Sequence, residues 1–298
     1  MYYCFIINDE PSKAGNAYKI EADIRQLDKP IEFEIYRTTA EKSATLFVKE
    51  YCAEHPDKET CFVACGGDGT INEVATGMVG TTNKHLAVLA YGSGNDFIKY
   101  YKDKDFLSIR NLVNGTPHKI DIMEVNGDRY SINVCNFGFD SVVASTANRL
   151  SRKGWKNPYR WGIAKAIFCG RFNRIKVRAD GEELNPDKRM LLCTLGNNNH
   201  VGGEFFCSPR AKNDDGLIEV GYCKTTTLLT FLGLLKFYTL GTHLDDPKAS
   251  RHFIYRQSKV VRVHSDETIE LCLDGEMLSG QDFRIEIISQ AISFIIPA

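Results

Sequence analysis

Cys65-Gly66-Gly67-Asp68-Gly69-Thr70-Ile71-Asn72-Glu73 is the stretch whose reading decides the fold. It follows a β-rich apolar run, residues 60–65, and opens a segment, residues 71–79, with helical spacing. Glycines at such a turn take φ > 0 and let the backbone approach a ligand closely. The free N–H groups and positive dipole end at a helix start suit a phosphate. Asp68 would repel phosphate unless it faces a metal, a ribose hydroxyl or a proton-bearing donor, which marks it as a chemical residue. A tight strand–helix turn without a ligand would use the same glycines.

Working outward, residues 4–7 form a short apolar run, and a loop with Pro11, Ser12 and Gly15 leads to an amphipathic stretch ending near Leu27. Residues 31–36 alternate as a strand, and 41–52 place Ala44, Phe47, Val48 and Tyr51 on one helical side. Residues 86–90 read as a buried strand. Strands alternating with helices predict an α/β domain of Rossmann-like type, a parallel sheet wrapped by helices. A second turn, Tyr91-Gly92-Ser93-Gly94-Asn95-Asp96-Phe97, follows that last strand. Consecutive strand C-termini lie along one edge of a parallel sheet, so the two turns are expected to line one crevice. Ser93 offers a hydroxyl to phosphate there, and Asn95 and Asp96 can cap the next helix.

After about Asp121 the texture changes. Asn126-Gly127, Asp180-Gly181, Asp215-Gly216 and Asp274-Gly275 are turn signals. The runs 130–135, 174–179, 190–195, 260–264, 268–273 and 283–288 alternate or are β-rich. They predict an antiparallel β-sandwich, interrupted by helical insertions at 141–171 and 226–240. The expected division is therefore 1–121 and 122–298, in keeping with a length of 298 residues. A net charge of −1 excludes a protein carried by a general basic field, such as a nucleic-acid coat. No run approaches 18 apolar residues, and the N-terminus reads as a strand and not a signal peptide. The 10 cysteines are scattered without a CxxC, which predicts buried thiols in a reducing, cytoplasmic setting and neither a disulfide framework nor a zinc site.

Read together, Gly66-Gly67-Asp68-Gly69-Thr70 with Asn72-Glu73, and Gly92-Ser93 with Asn95-Asp96-Phe97, resemble the diacylglycerol-kinase-type catalytic domain shared by bacterial lipid kinases, sphingosine kinases and ceramide kinases. The resemblance extends along the chain through Asn133, Gly138-Phe139-Asp140, Gly202-Gly203, Pro209, Ala211, Asp215-Gly216-Leu217, Gly241-Thr242-His243 and Asp274-Gly275-Glu276. It implies an N-terminal domain like that of NAD kinases and phosphofructokinases, and an ATP-dependent lipid kinase that uses Mg²⁺. Diacylglycerol is the leading acceptor and phosphatidic acid the product. By the same resemblance, nucleotide contacts fall on Gly66, Gly67, Asp68, Gly69, Thr70, Ile71, Asn72, Glu73, Ser93, Asn95 and Asp96. Thr38, six residues before Ala44, matches a further contact, with Thr39 the near alternative. Asn8 and Ser12 survive from the family's N-terminal loop, which here carries an apparent one-residue insertion and lacks the proline after Asn8.

The resemblance makes Glu276 the general base for the acceptor hydroxyl, with Asp274 as a second carboxylate nearby and Asp68 holding the catalytic Mg²⁺ or orienting Glu276. It also implies a structural Mg²⁺ held by the carbonyls of Lys212 and Leu217 and the carboxylate of Asp215. Read without it, Asp274-Gly275-Glu276 is a hairpin turn, and Asp215 an Asx turn before a strand.

Residues 149–178 hold Arg149, Arg152, Lys153, Lys156, Arg160, Lys165, Arg171, Arg174, Lys176 and Arg178, with no acid and with Trp155, Tyr159 and Trp161 interleaved. Such a segment suits docking on an anionic membrane, and equally a solvated basic face. No nucleic-acid motif accompanies it. The expected partners are thus a lipid substrate and an anionic membrane surface met peripherally, with no nucleic acid; an exposed sheet edge can support a homodimer. Residues 228–238 read as a core helix or as the wall of a lipid pocket, and His243 as structural. The competing functional readings are an NAD-kinase-like phosphotransferase and a non-catalytic lipid- or nucleotide-binding protein of the same fold.

Overall fold

The computed structural model describes residues 1–8, 16–169, 173–185, 187 and 189–298. They divide into two compact units, one of Met1–Asp121 with Gln290–Ala298, the other of Ile122–Ser289.

The first unit alternates strand and helix: β1 (Tyr2–Asn8), α1 (Asn16–Ile24), β2 (Phe33–Thr38), α2 (Ser43–Glu54), β3 (Thr60–Gly66), α3 (Asp68–Met78), β4 (Lys84–Ala90), a 3-10 helix (Phe97–Tyr100), α4 (Ile109–Val113) and the start of β5 (Thr116–Val125). The predicted α/β class is the observed one. The strands β2-β1-β3-β4 run parallel in that order. Strand β3 is buried along its whole length, as a strand covered on both faces must be. Helix α1 turns Ala17, Ile20 and Ile24 inward at spacings of three and four. Helices α2 and α3 pack closely because Gly77 has no side chain: a Cβ there would lie 2.7 Å from Val48 Cβ.

The parallel register decides what meets at the sheet's C-terminal edge. Asn8 stands beside Thr38, Ile7 beside Cys65, and Gly66 beside Ala90. Thr38, Asn8, Gly66 and Ala90 therefore form one row, from which both glycine-rich turns depart.

The second unit contains the end of β5, β6 (Arg129–Ser131), β7 (Val134–Gly138), α5 (Phe139–Arg152), α6 (Pro158–Cys169), β8 (Asn173–Arg174), β9 (Lys176–Ala179), β10 (Glu182–Glu183), β11 (Arg189–Gly196), β12 (Ile218–Lys224), α7 (Leu228–Leu240), α8 (Pro247–Ser250), β13 (Phe253–Ser258), β14 (Val260–Leu273) and most of β15 (Glu276–Ile296). Its strands pair antiparallel in the order β13-β12-β11-β7-β14-β15, and β9 also pairs with β14. Inward residues such as Val177, Tyr222, Val263, Leu271 and Phe283 form the sandwich core. A separate apolar cluster joins α5, α6 and α7 to the sheet through Phe139, Val143, Ala166, Leu191, Phe231, Leu234 and Tyr238.

Several expectations are refined. The runs 260–264 and 268–273 are one strand, β14, with an irregular register between His264 and Ile269. The run 130–135 is broken between β6 and β7, where the chain turns its amides to Asp274. The insertion at 141–171 is two helices. The last strand returns to the first unit: Phe294 pairs with Leu86 of β4, and Ile295 joins that unit's core. The stretch 290–298 is thus set apart from the rest of 122–298 by the apolar side chains it inserts there.

Candidate active site

In the first unit the two glycine-rich turns touch. A Cβ on Gly92 would lie 2.3 Å from Gly67 Cα and 2.9 Å from Gly67 N, so only glycine allows this approach. The Tyr91 amide donates to the Gly66 carbonyl at 3.1 Å, tying one turn to the other. Helix α3 begins at once, with Gly67 at its N-cap and no side-chain cap. The amides of its first turn thus face the edge of the sheet with no side-chain acceptor from the N-cap, as an anion site requires.

Asp68 Oδ1 accepts the Phe97 amide at 2.9 Å. Asp68 thereby caps the 3-10 helix of the neighbouring loop, which Asn95 and Asp96 were expected to do. Asp96 makes no side-chain cap and instead holds Lys99 at 2.6 Å. Asn95, at φ 50°, donates through Nδ2 to the Gly92 carbonyl at 2.9 Å and closes its own turn. Its buried Oδ1 has no hydrogen-bond partner among the described residues. Burial pushes the Asp68 carboxyl above its ordinary value, with Asp96 nearby adding to the effect and the Phe97 amide opposing it.

The remaining nucleotide candidates separate. Gly69 and Ser93 are exposed, and Gly67 and Asp68 partly so. Thr70, Ile71 and Asn72 are buried, and Thr70 packs over Gly66, where a Cβ would meet its hydroxyl at 2.4 Å. The Glu73 carboxylate accepts the Lys42 amide at 3.1 Å and the Ala44 amide at 3.2 Å. It caps the start of α2 from a distance, so its side chain is taken up structurally. Thr38 and Asn8 stand on the row described above. Ser12 lies outside the described residues.

In the second unit, Asp274 and Gly275 form a two-residue hairpin between β14 and β15, with Leu273 opposite Glu276. Both have positive φ, 47° and 93°, the signature of the tight turns that Asp-Gly favours. The Asp274 carboxylate is turned inward, accepting the amides of Ile132 at 2.8 Å, Asn133 at 3.3 Å and Val134 at 2.8 Å. Burial pushes its carboxyl up to about 7, and the amide donors pull it back toward the ionised form. Asp274 is thus a clamp and does not share open space with Glu276. Glu276 is exposed at the first position of β15. Asn148 of α5 donates to the Gly275 carbonyl at 2.7 Å, a second anchor on the same turn. Nothing local in the sequence signalled that role, because the partner lies 127 residues away.

The Lys212–Leu217 stretch keeps its Asx turn: Asp215 Oδ1 accepts the Leu217 amide at 3.1 Å, and Gly216 takes φ 73°. Its donors are oxygens only, the chemistry a hard cation needs. Among the described residues, no three His, Cys, Asp or Glu side chains converge as a metal site. The basic segment is split by the fold. Lys176 and Arg178 lie on β9 and pair with Glu183 at 2.8 and 3.3 Å. Lys153, Lys156, Arg160 and Lys165 are exposed on or between α5 and α6, and Arg171 lies outside the described residues. His243 is buried against Tyr238 and Phe253, and burial lowers its pKa to about 4. No helix among the described residues is long and apolar enough to cross a membrane.

Comparison with known proteins identifies the family and the fold. Residues 3–125 match the diacylglycerol kinase catalytic domain, and residues 133–296 match the YegS C-terminal NAD kinase beta sandwich-like domain. The chain is 29% identical to the diacylglycerol kinase of Bacillus subtilis (strain 168), over 84% of this chain and 82% of that one. It is 30% identical to a Cronobacter sakazakii protein named "Probable lipid kinase YegS-like", over 92% of this chain and 89% of the relative. Among solved structures, a diacylglycerol kinase from Bacillus anthracis str. Sterne shares the fold with a TM-score of 0.68 at 18% identity, covering 99% of this chain and 96% of that one.

Proposed function

Because the chain belongs to the lipid kinases that join a diacylglycerol kinase catalytic domain to a YegS-type β-sandwich, we propose that it transfers the γ-phosphate of ATP to the free hydroxyl of diacylglycerol, giving phosphatidic acid. The observation that carries this reading is the contact between Gly67 and Gly92, which brings the main chains of the two turns together at the sheet edge. Phosphoryl transfer needs little covalent help from a protein; it needs positioning and charge stabilisation. The turn amides and the start of α3 cradle phosphate oxygens, and Ser93, Thr38 and Asn8 border the same edge. Asp68, fixed by the Phe97 amide, presents one carboxylate to that place.

Glu276 takes the proton of the acceptor hydroxyl while that oxygen attacks the γ-phosphorus. The bond from phosphorus to the ADP oxygen breaks, and ADP leaves with the electron pair. Asp274 and Asn148 act through the turn as positioning residues. Mg²⁺ would neutralise phosphate charge when bound. Asp68 with nucleotide oxygens would hold one ion, and Asp215 with the carbonyls of Lys212 and Leu217 a second, structural one. Oxygen donors few in number leave room for the water and phosphate that this ion prefers.

Membrane contact is assigned to the exposed basic residues of α5 and α6 and to Trp155 and Trp161, which are 50% and 54% exposed with ring centroids 5.8 Å apart. Trp at the interface and Lys or Arg over an anionic leaflet are each favourable. Equal co-sedimentation with neutral and anionic vesicles would remove this assignment.

The kinase reading is tested with labelled ATP against diacylglycerol, a sphingoid base, a polyprenol and NAD, with Glu276→Gln as control. Diacylglycerol should be phosphorylated, and loss of a general base should cost about 10²–10⁴ in kcat. Phosphorylation of NAD alone would make the protein an NAD-kinase-like enzyme. No acceptor at all would make it a binding protein of this fold.

A further inference from the structure

Helix α7 is apolar on both sides, yet only one side is covered. Phe231, Leu234 and Tyr238 face inward and join the cluster with Phe139 of α5 and Ala166 of α6. Leu229, Leu232, Gly233, Lys236 and Leu240 face outward, at the spacings of a single helical stripe. Leu229 is 82% exposed, Leu232 47% and Leu240 58%. A Cβ placed on Gly233 would meet nothing within 4 Å, so the stripe is open there too. Helix α2 also exposes one leucine, Leu46, but sets Lys49, Glu50 and Glu54 beside it on its outer side, whereas the outer stripe of α7 holds three leucines and a single charge. A helix that is hydrophobic all round is normally buried.

The surroundings say what covers it. The Phe139 and Phe231 rings stand 4.6 Å apart, which places α7 in the same helical layer as α5 and α6. That layer carries the exposed Trp155–Trp161 pair and Lys153, Lys156, Arg160 and Lys165. Cations, interfacial aromatics and a leucine stripe with one long basic side chain are the chemistry of a helix lying in a bilayer surface. A second copy meeting this face about a two-fold axis would set basic residues against basic residues, since residues 149–178 hold no acid.

We propose that the outer stripe of α7, Leu229, Leu232, Gly233, Lys236 and Leu240, enters the headgroup–acyl boundary of an anionic membrane and is the insertion element of this protein. The inference rests on the membrane contact assigned above and deepens it: α5 and α6 supply the charge, and α7 supplies the apolar area. The stripe from Leu229 to Leu240 runs about 16 Å along the helix axis, long enough to lie in a membrane surface and too short to cross it.

The test is partitioning of the full chain onto vesicles of phosphatidylglycerol with phosphatidylcholine, and of phosphatidylcholine alone, without ATP. Leu229→Glu/Leu232→Glu should lower partitioning onto the anionic vesicles by at least about tenfold. Leu229→Trp/Leu232→Trp should retain it. Both residues are exposed, so the melting temperature of either variant should stay within a few degrees of wild type. Unchanged partitioning of the glutamate variant overturns the proposal. A wild-type dimer in lipid-free sedimentation that the glutamate variant converts to a monomer also overturns it, in favour of a second copy. Because the readout needs no phosphoryl transfer, failure of every lipid as an acceptor would remove the kinase reading and leave this result standing.

Discussion

Asp274 and Glu276 stand two residues apart, and the fold gives them opposite surroundings: the Asp274 carboxylate is turned inward and Glu276 is exposed. Three backbone amides converge on the Asp274 carboxylate, an acceptor-only arrangement that an amide side chain cannot reproduce. Asp274→Asn would set an N–H₂ group against a backbone N–H, and should destabilise the protein by about 2–4 kcal/mol. Urea denaturation reads this directly. Glu276→Gln should leave the urea midpoint unchanged while lowering turnover, because Glu276 is exposed. Lys84 makes a parallel case away from the site. It is 4% exposed, and its ammonium donates to the carbonyls of His55, Pro56, Lys58 and Thr82. Lys84→Met keeps the length of the side chain but takes the ammonium away from all four carbonyls, of which His55 O keeps the Lys58 amide and Lys58 O the Thr60 hydroxyl, and should cost about 3 kcal/mol in the same measurement.

At the level of the element, the turn pair and helix α5 carry the informative tests. Gly92→Ala adds a methyl 2.3 Å from a backbone carbon, and backbone cannot move aside cheaply. Turnover should fall at least about a hundredfold, through displacement of the turn proposed to bind phosphate. Gly69→Ala, with nothing within 4 Å of its Cβ, should be mild, and kcat/KM for the pair checks both. Helix α5 places Asp140 in the interior, where the Tyr238 hydroxyl donates to it at 3.2 Å. Burial pushes its carboxyl up to about 6, and the hydroxyl opposes the shift. The folded pKa lies above the unfolded value of about 3.9, so the native state holds the extra proton between them, and stability falls as pH rises through that window. Asp140→Asn has no proton to lose. Its advantage over wild type should be near zero at pH 4, grow to pH 6, and level off at about 2–3 kcal/mol above it. Parallel urea titrations along pH would show a flat difference if Asp140 were ionised throughout.

These elements also show what sequence reading reaches and where it stops. The glycine turns were legible because their chemistry is local: strand, glycines and helix start are contiguous. Long, β-rich runs such as β3, β4 and β11 were legible for the same reason. The tasks of Glu73, Asp68 and Asp274 were not, since each carboxylate finds its amides 29 to 142 residues away. A carboxylate in a motif announces that an oxygen is needed, and leaves open whether a ligand or the protein's own backbone receives it. Strand β14 read as two strands because Ser265-Asp266-Glu267 breaks the apolar alternation, while backbone pairing resumes at Ile269.

At the scale of the whole molecule, the first unit is completed only by the end of the chain. Phe294 is fully buried there, with its ring against Phe97 at 5.2 Å, Tyr101 at 5.0 Å and Phe106 at 6.2 Å. Ser293 meets His85 at 2.9 Å, and the Ala298 amide donates to Asn111 at 3.0 Å. Ile292, Phe294 and Ile295 are each 3% exposed or less. At about 1.5–3 kcal/mol per buried side chain, losing three of them removes an amount comparable to the whole stability of a domain. A fragment of residues 1–121 should therefore show no cooperative thermal transition. The Gln290 amide bonds Asp121 Oδ1 at 2.7 Å, so the two chain passages are adjacent. A short Gly/Ser linker from residue 121 to residue 290 should restore folding to 1–121 joined with 290–298. In that joined fragment Phe294→Ala should cost about 3–5 kcal/mol. During synthesis the first half must then wait for the last residues before its core closes, and refolding of the full chain should show the first unit gaining protection from hydrogen exchange no earlier than the second. A fragment 1–121 that melts cooperatively at the temperature of the joined one would show that the terminal strand is an accessory and not part of that core.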